Sequence, residues 1–326
     1  MRLNLWVFLC LLLPLSTFAS SITGLVVFGD SLSDNGNAAL AGAVTGNYAS
    51  NAFTDGPGTN PPTTGPFGLW IDQFAGKLGV TDPAPFLAGG TNFAVAGALT
   101  GVNPLFGAMG QPPYTGQQVG LFLSNPLLTP LLSPGTLFTF WAGANDLASG
   151  VSPATAANNI ASEIQALALD NGKQFLWLNL PLLGETPDAV AHGETIPLNV
   201  ASLAFDAQWA ADIALLRSEG IDVIGVNVEQ LFAAILADPS KFGFTDVTDP
   251  AGCGFPGAPT ICASNNPNDF LFWDGEHPTT AGDALVADAA FQDVTVPEPG
   301  SLGLSFAAFC VVGLAGIRWR RRSPNG

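Results

Sequence analysis

Five short apolar runs recur along the chain, each closed by Gly, Asn or Pro. They are Gly24–Phe28, Thr91–Val95, Thr136–Trp141, Phe175–Leu180 and Ile221–Asn227. Rich in Val, Phe, Leu and Ile and free of polar alternation, they read as central strands of a parallel sheet buried on both faces. Between them lie longer amphipathic stretches that predict helices over Leu69–Leu78, Gly116–Leu123, Pro153–Leu169, Pro197–Ser218 and Glu229–Ala237, with Thr280–Phe291 closing the series. Ser152-Pro153 gives the third helix a capping hydroxyl followed by proline at the first helical position. Strand–helix alternation of this kind argues for an α/β protein with helices on both faces of the sheet. The segment Ala38–Gly68 breaks the pattern. It is loaded with Gly, Asn, Thr and Pro, has no sustained period, and reads as a long excursion available to line a cleft.

The two ends follow other rules. Leu3–Leu15 is almost wholly apolar, preceded by Arg2 and followed by Thr17 and Ala19. That is the layout of a signal peptide over residues 1–19, with the mature chain starting near Ser20. At the other end Val-Pro-Glu-Pro at 296–299 precedes an uncharged, mainly apolar stretch over 300–317, then Arg318, Arg320, Arg321 and Arg322. Its length is enough for one bilayer crossing, and the arginines place the body on the outer side. Residues 296–326 resemble the PEP-CTERM sorting signal of Gram-negative bacteria. The resemblance implies transient anchoring in the inner membrane, cleavage by an exosortase-type enzyme, and release to the cell surface or extracellular matrix.

What remains, 20–295, has the size of one α/β domain. Residues 21–296 carry 25 acidic side chains against four basic ones (Lys77, Lys173, Arg217 and Lys241), a formal charge of −21. Such a surface repels polyanions, excludes nucleic acid as a partner and disfavours strongly anionic lipid headgroups. Cys253 and Cys262 stand nine apart in a Gly/Pro/Ala-rich stretch. In an exported protein a bridge closing that loop is the natural reading, with free thiols as the alternative. A metal site would need further ligands at sensible spacing, and none stands beside them.

Candidate chemistry centres on FGDSLSDNGN at 28–37, where the first strand runs out into a polar turn and presents Ser31. Reacting groups of α/β enzymes sit on such strand-end loops. A nucleophilic serine needs a base, and the chain has two histidines, His192 and His277. His277, in WDGEHP, has Asp274 three residues before it, so an imidazole and an orienting acid arrive together. His192 lies in AHGE with only Glu194 to orient it. Oxyanion donors are sought in Gly97, after the second strand, and in Asn145 of WAGANDL. Read singly, Gly97 serves equally to shape a turn and Asn145 to cap a helix.

Together the blocks resemble the GDSL family of the SGNH hydrolases. Gly29-Asp30-Ser31-Leu32, NFAVAGA with Gly97, Gly143-Ala144-Asn145-Asp146, and Asp274 with His277 occur in the family's order. NLPLLGETP at 179–187 and DPSKFGFTDVTDPAGC at 238–253 resemble the branch holding plant GDSL esterases and secreted bacterial lipases. The resemblance implies a flavodoxin-like three-layer α/β/α sandwich with a five-stranded parallel sheet, and no metal or organic cofactor. It also implies Ser31 as nucleophile, Asp274–His277 as acid and base, and Gly97, Asn145 and the Ser31 N–H as oxyanion donors. The expected activity is ester hydrolysis through an acyl-serine, on a small-molecule, lipid or sugar ester. An acyltransferase using the same residues, and a catalytically silent surface or matrix-binding protein, are the alternatives.

Overall fold

The computed structural model describes residues 22–42, 53–54, 68–107, 111–251 and 266–295. The expected signal peptide, the sorting tail with its 300–317 span, and both Cys253 and Cys262 lie outside them. Among the described residues no helix is long and apolar enough to cross a membrane.

Four parallel strands form the central sheet in the order β1 (Gly24–Gly29), β2 (Thr136–Trp141), β3 (Gln174–Leu178) and β4 (Asp222–Val226). Their register pairs Gly29 with Trp141 and Leu178 with Val226, so the carboxyl ends of the strands come out along one edge. Every residue of β2 is buried, which requires cover on both faces. Two groups of helices supply it. One contains α2 (Trp70–Leu78), α8 (Val228–Ala237) and α9 (Thr280–Thr295); the other α3 (Thr115–Leu123), α5 (Pro153–Leu169) and α7 (Thr195–Ser218). At the start of α5 the Ser152 hydroxyl accepts from the Thr155 N–H at 3.2 Å, with Pro153 behind it. Aromatic side chains fill the interior: Phe28 touches Phe93, Phe122 and Phe140 at centroid distances of 5.6, 6.1 and 5.0 Å.

The fifth expected strand, Thr91–Val95, does run parallel to β1, but as a single bridge at Asn92 rather than a regular strand. Three backbone bonds tie it on: Val27 N–H to Thr91 O, Phe93 N–H to Val27 O, and Val95 N–H to Gly29 O, at 3.0, 2.8 and 3.2 Å. The Asn92 amide explains the irregularity. It donates to Ser33 O at 2.7 Å and Asn35 Oδ1 at 2.9 Å, while its own oxygen accepts from Ala94 N–H. This edge is bent to serve the serine turn.

Short elements that the apolar pattern does not announce complete the fold: α1 (Asn37–Leu40), α4 (Ala144–Ala148), α6 (Pro187–His192), and the parallel pair β5 (Asp246–Pro250) and β6 (Phe270–Phe272). β6 leads straight into the loop that carries Asp274 and His277.

Candidate active site

Ser31 stands two residues past β1, at the carboxyl edge of the sheet. Gly29 brings it there. A Cβ on Gly29 would sit 2.5 Å from Trp141 O, so only glycine lets β1 and β2 stay this close at their ends. The rest of the motif builds a buried polar frame. Asp34 accepts four backbone N–H bonds: from Gly36 and Asn37 on one oxygen, at 2.9 and 2.6 Å, and from Ala38 and Ala96 on the other, at 3.0 and 2.8 Å. The Asn37 amide donates to Asn92 O and Ala94 O, and the Asn35 amide to Asp72 and Pro83 O. The serine turn and the turn holding Gly97 are thereby one rigid unit.

From the far end of the sequence, β6 delivers the Trp273–His277 loop. The Asp274 Oδ1 accepts the N–H groups of Glu276 and His277, both at 2.7 Å, and its Oδ2 contacts His277 Nδ1 at 2.7 Å. His277 Nε2 lies 2.7 Å from Ser31 Oγ. An unbroken carboxylate–imidazole–hydroxyl chain thus links residues 246 positions apart, and its acid and imidazole side chains are only 5% and 12% exposed. Burial pulls the His277 pKa down, but the Asp274 carboxylate, its hydrogen bond, and the nearby Glu276 and Asp30 outweigh that and raise it.

Two further groups close on the same place. Asn145, in the first turn of α4 beyond β2, lines the cavity together with Ser31 and His277. Its Nδ2 donates to Ala98 O at 3.1 Å and, at a long 3.3 Å, to Asp30 Oδ2. Burial pushes the Asp30 carboxyl up to about 7, although a hydrogen bond from Leu32 N–H opposes the shift. Gly97 has φ +75° and open space where a Cβ would be. It is bracketed by Ala96, bound to Asp34, and Ala98, bound to Asn145. Among the described residues no hydrogen bond takes the N–H of Gly97 or of Ser31.

His192 lies elsewhere in role. It ends α6, exposed, with Nδ1 2.9 Å from Asp188 O and 3.3 Å from Asp188 Oδ1. Its acid partner is therefore Asp188, one helical turn back, and not Glu194. The contacts with Asp188 raise its pKa.

The cavity beside Ser31 encloses about 140 Å³. One wall is apolar, formed by Leu182, Leu183, Leu198, Phe232, Leu236 and Phe272. Glu185, Asp188, Glu194 and Glu276 also line the cavity, and among the described residues no lysine or arginine does. Three of these acids come from one stretch, GETPDAVAHGE at 184–194, and the fourth, Glu276, from the loop that carries His277. Phe53 is a contributor that sequence reasoning missed: its ring lies 5.1 Å from the His277 imidazole.

A hydroxyl, an imidazole and a carboxylate in line at the carboxyl edge of a parallel sheet define the serine-hydrolase class of α/β proteins. The chain belongs to the GDSL-like lipase/acylhydrolase family, whose model matches residues 25–290, and the PEP-CTERM protein-sorting motif matches residues 295–322. The sorting motif implies export and exosortase processing, and the family implies ester substrates. An esterase, EstA, of Pseudomonas aeruginosa is 28% identical over 327 residues, covering 88% of this chain and 50% of that protein. A phosphatidylcholine-sterol acyltransferase of Aeromonas hydrophila is 27% identical over 290 residues, covering 85% and 81% respectively. An uncharacterised Pseudomonas putida protein is 30% identical, covering 85% of this chain, which spans about half its length (49%). Among solved structures, a lipolytic G-D-S-L family member from Veillonella parvula shares 14% identity with a TM-score of 0.45, covering 83% of this chain and 97% of that one.

Proposed function

We propose that residues 20–295 form an exported serine ester hydrolase in which Ser31 is the nucleophile, His277 the general base and Asp274 the group that orients it. The observation that carries this reading is the chain of two 2.7 Å contacts from Asp274 through His277 to Ser31. Ser31 Oγ attacks the acyl carbon while its proton passes to His277 Nε2. The tetrahedral oxyanion is met by the N–H groups of Ser31 and Gly97 and by the Asn145 amide. Collapse expels the alcohol, which takes the proton from His277. Water, activated by the same imidazole, then attacks the acyl-serine and releases the acid.

Asn145 can serve the oxyanion by giving up its long contact with Asp30, the weaker of its two bonds. The apolar wall of the cavity suits the acyl chain of an ester. After cleavage of a tail at 296–326 the body would reside at the cell surface or in the extracellular matrix.

Ser31→Ala tests the reading. Hydrolysis of a short p-nitrophenyl ester should fall by about 10⁴ or more, together with loss of fluorophosphonate labelling. Hydrolysis retained in the variant would put the nucleophile elsewhere, and a wild-type chain that takes no label would favour the silent surface-binding reading. The acyltransferase relative gives the transferase alternative its support. It differs only in whether water or an alcohol deacylates the serine, which product analysis with an added acceptor alcohol decides.

A further inference from the structure

The Gly/Asn/Thr/Pro excursion after the serine turn touches the site through two adjacent residues. Phe53 is buried, 7% exposed, with its ring centroid 5.1 Å from that of His277 and the planes inclined by 37°. Its neighbour Thr54, also buried, donates its hydroxyl to Pro278 O at 3.2 Å. One dipeptide therefore grips both the imidazole and the residue next to it in sequence, from a part of the chain more than 220 positions away.

We propose that Phe53 is a positioning residue for the base: its ring packs at a tilt against the imidazole, limits its rotation, and favours the imidazolium formed as Ser31 is acylated. The edges of the imidazole are already committed, Nδ1 to Asp274 and Nε2 to Ser31. Rotation about the side chain would break both contacts together, and a ring packed against the imidazole opposes it. The π-face of Phe53 also attracts a cation, and the attraction is strongest where water is excluded. Among the described residues, the charged groups that act on His277 include the carboxylates of Asp274 and Glu276 on its own loop and Asp30 beyond β1, with Asp188 of α6 acting on Glu276. The ring adds to their effect without adding charge.

This inference rests on His277 as the base, but its test does not depend on turnover. The chain has two histidines, so an NMR titration of the imidazole C–H signals has His192 as internal reference. Phe53→Leu keeps the apolar cover and removes the π-face. It should lower the His277 titration midpoint by about half a unit to one unit and leave His192 unmoved. It should also reduce kcat on a short ester by about tenfold with little change in KM. Phe53→Tyr, which restores the ring, should recover both. An unshifted His277 midpoint in Phe53→Leu, a kcat loss that Phe53→Tyr does not recover, or a change confined to KM would each overturn the proposal. If Ser31→Ala retains hydrolysis while the midpoint still moves, the assignment of Ser31 as nucleophile fails and the contact between ring and imidazole stands.

Discussion

Replacing Asp34 by asparagine alters one atom of the motif and disturbs both turns of the site. Each Asp34 oxygen accepts two backbone N–H groups, Gly36 and Asn37 on Oδ1, Ala38 and Ala96 on Oδ2. An asparagine can offer its oxygen to only one of these pairs. Whichever way its amide is turned, the –NH₂ points at two N–H donors. Two donors lose their acceptor, at about 1–3 kcal/mol each, so the variant should lose about 2–6 kcal/mol of stability. That is a large share of the roughly 5–15 kcal/mol that holds a domain together. With a urea m-value of about 3 kcal/mol/M, the unfolding midpoint should fall by about 0.7–2 M. Ala96 immediately precedes Gly97, so the amide orientation that abandons Ala96 also loosens a proposed oxyanion donor. The assay is equilibrium urea unfolding followed by fluorescence of the buried Trp70, Trp141 and Trp177. An unfolding midpoint equal to that of the unmodified chain would refute the argument that the four N–H bonds share one irreplaceable acceptor.

Two more outcomes are expected. Asn145→Ala should cost about a hundredfold or more in kcat, and a loss below tenfold in single-turnover acylation would remove Asn145 from the oxyanion site. Stability and activity should run in opposite directions with pH. Burial raises the carboxyls of Asp30 to about 7 and of Glu163 to about 8, so the folded state holds protons that the unfolded chain has released. The stability they confer is complete below about pH 4 and is lost as pH rises to about 8. His277, raised above 6.5, must shed its proton to act, so turnover climbs over neutral to alkaline pH. Thermal midpoints should be higher at pH 5 than at pH 8.5, with the gap narrowed in Glu163→Gln; a gap of the opposite sign would contradict the linkage.

The sheet was legible because β1, β2 and β3 are buried on both faces, and burial on both faces leaves an unbroken apolar run in the sequence. Thr91–Val95 was legible as extended chain but not as an irregular edge, since the departure comes from where the Asn92 amide reaches in space. The pairing of Ser31 with His277 was within reach because the alternatives were few: two imidazoles, one with an acid three residues away. Even so, the acid of His192 was misread. No helix was expected over Pro187–His192, so the i–4 position of Asp188 went unseen. Phe53 left no trace at all. A lone aromatic in a polar, aperiodic stretch looks the same whether it faces solvent or lies against a base.

On the proposed hydrolase reading, the acids around the cavity would govern how each turnover ends. An ester enters uncharged at its reacting centre and leaves behind a carboxylate. That anion would find itself among Glu185, Asp188, Glu194 and Glu276, with no lysine or arginine among the described lining residues to hold it. Like charges would drive it outward, so the pocket would clear itself, and the accumulating fatty or organic acid would make a poor competitor for the next molecule of substrate.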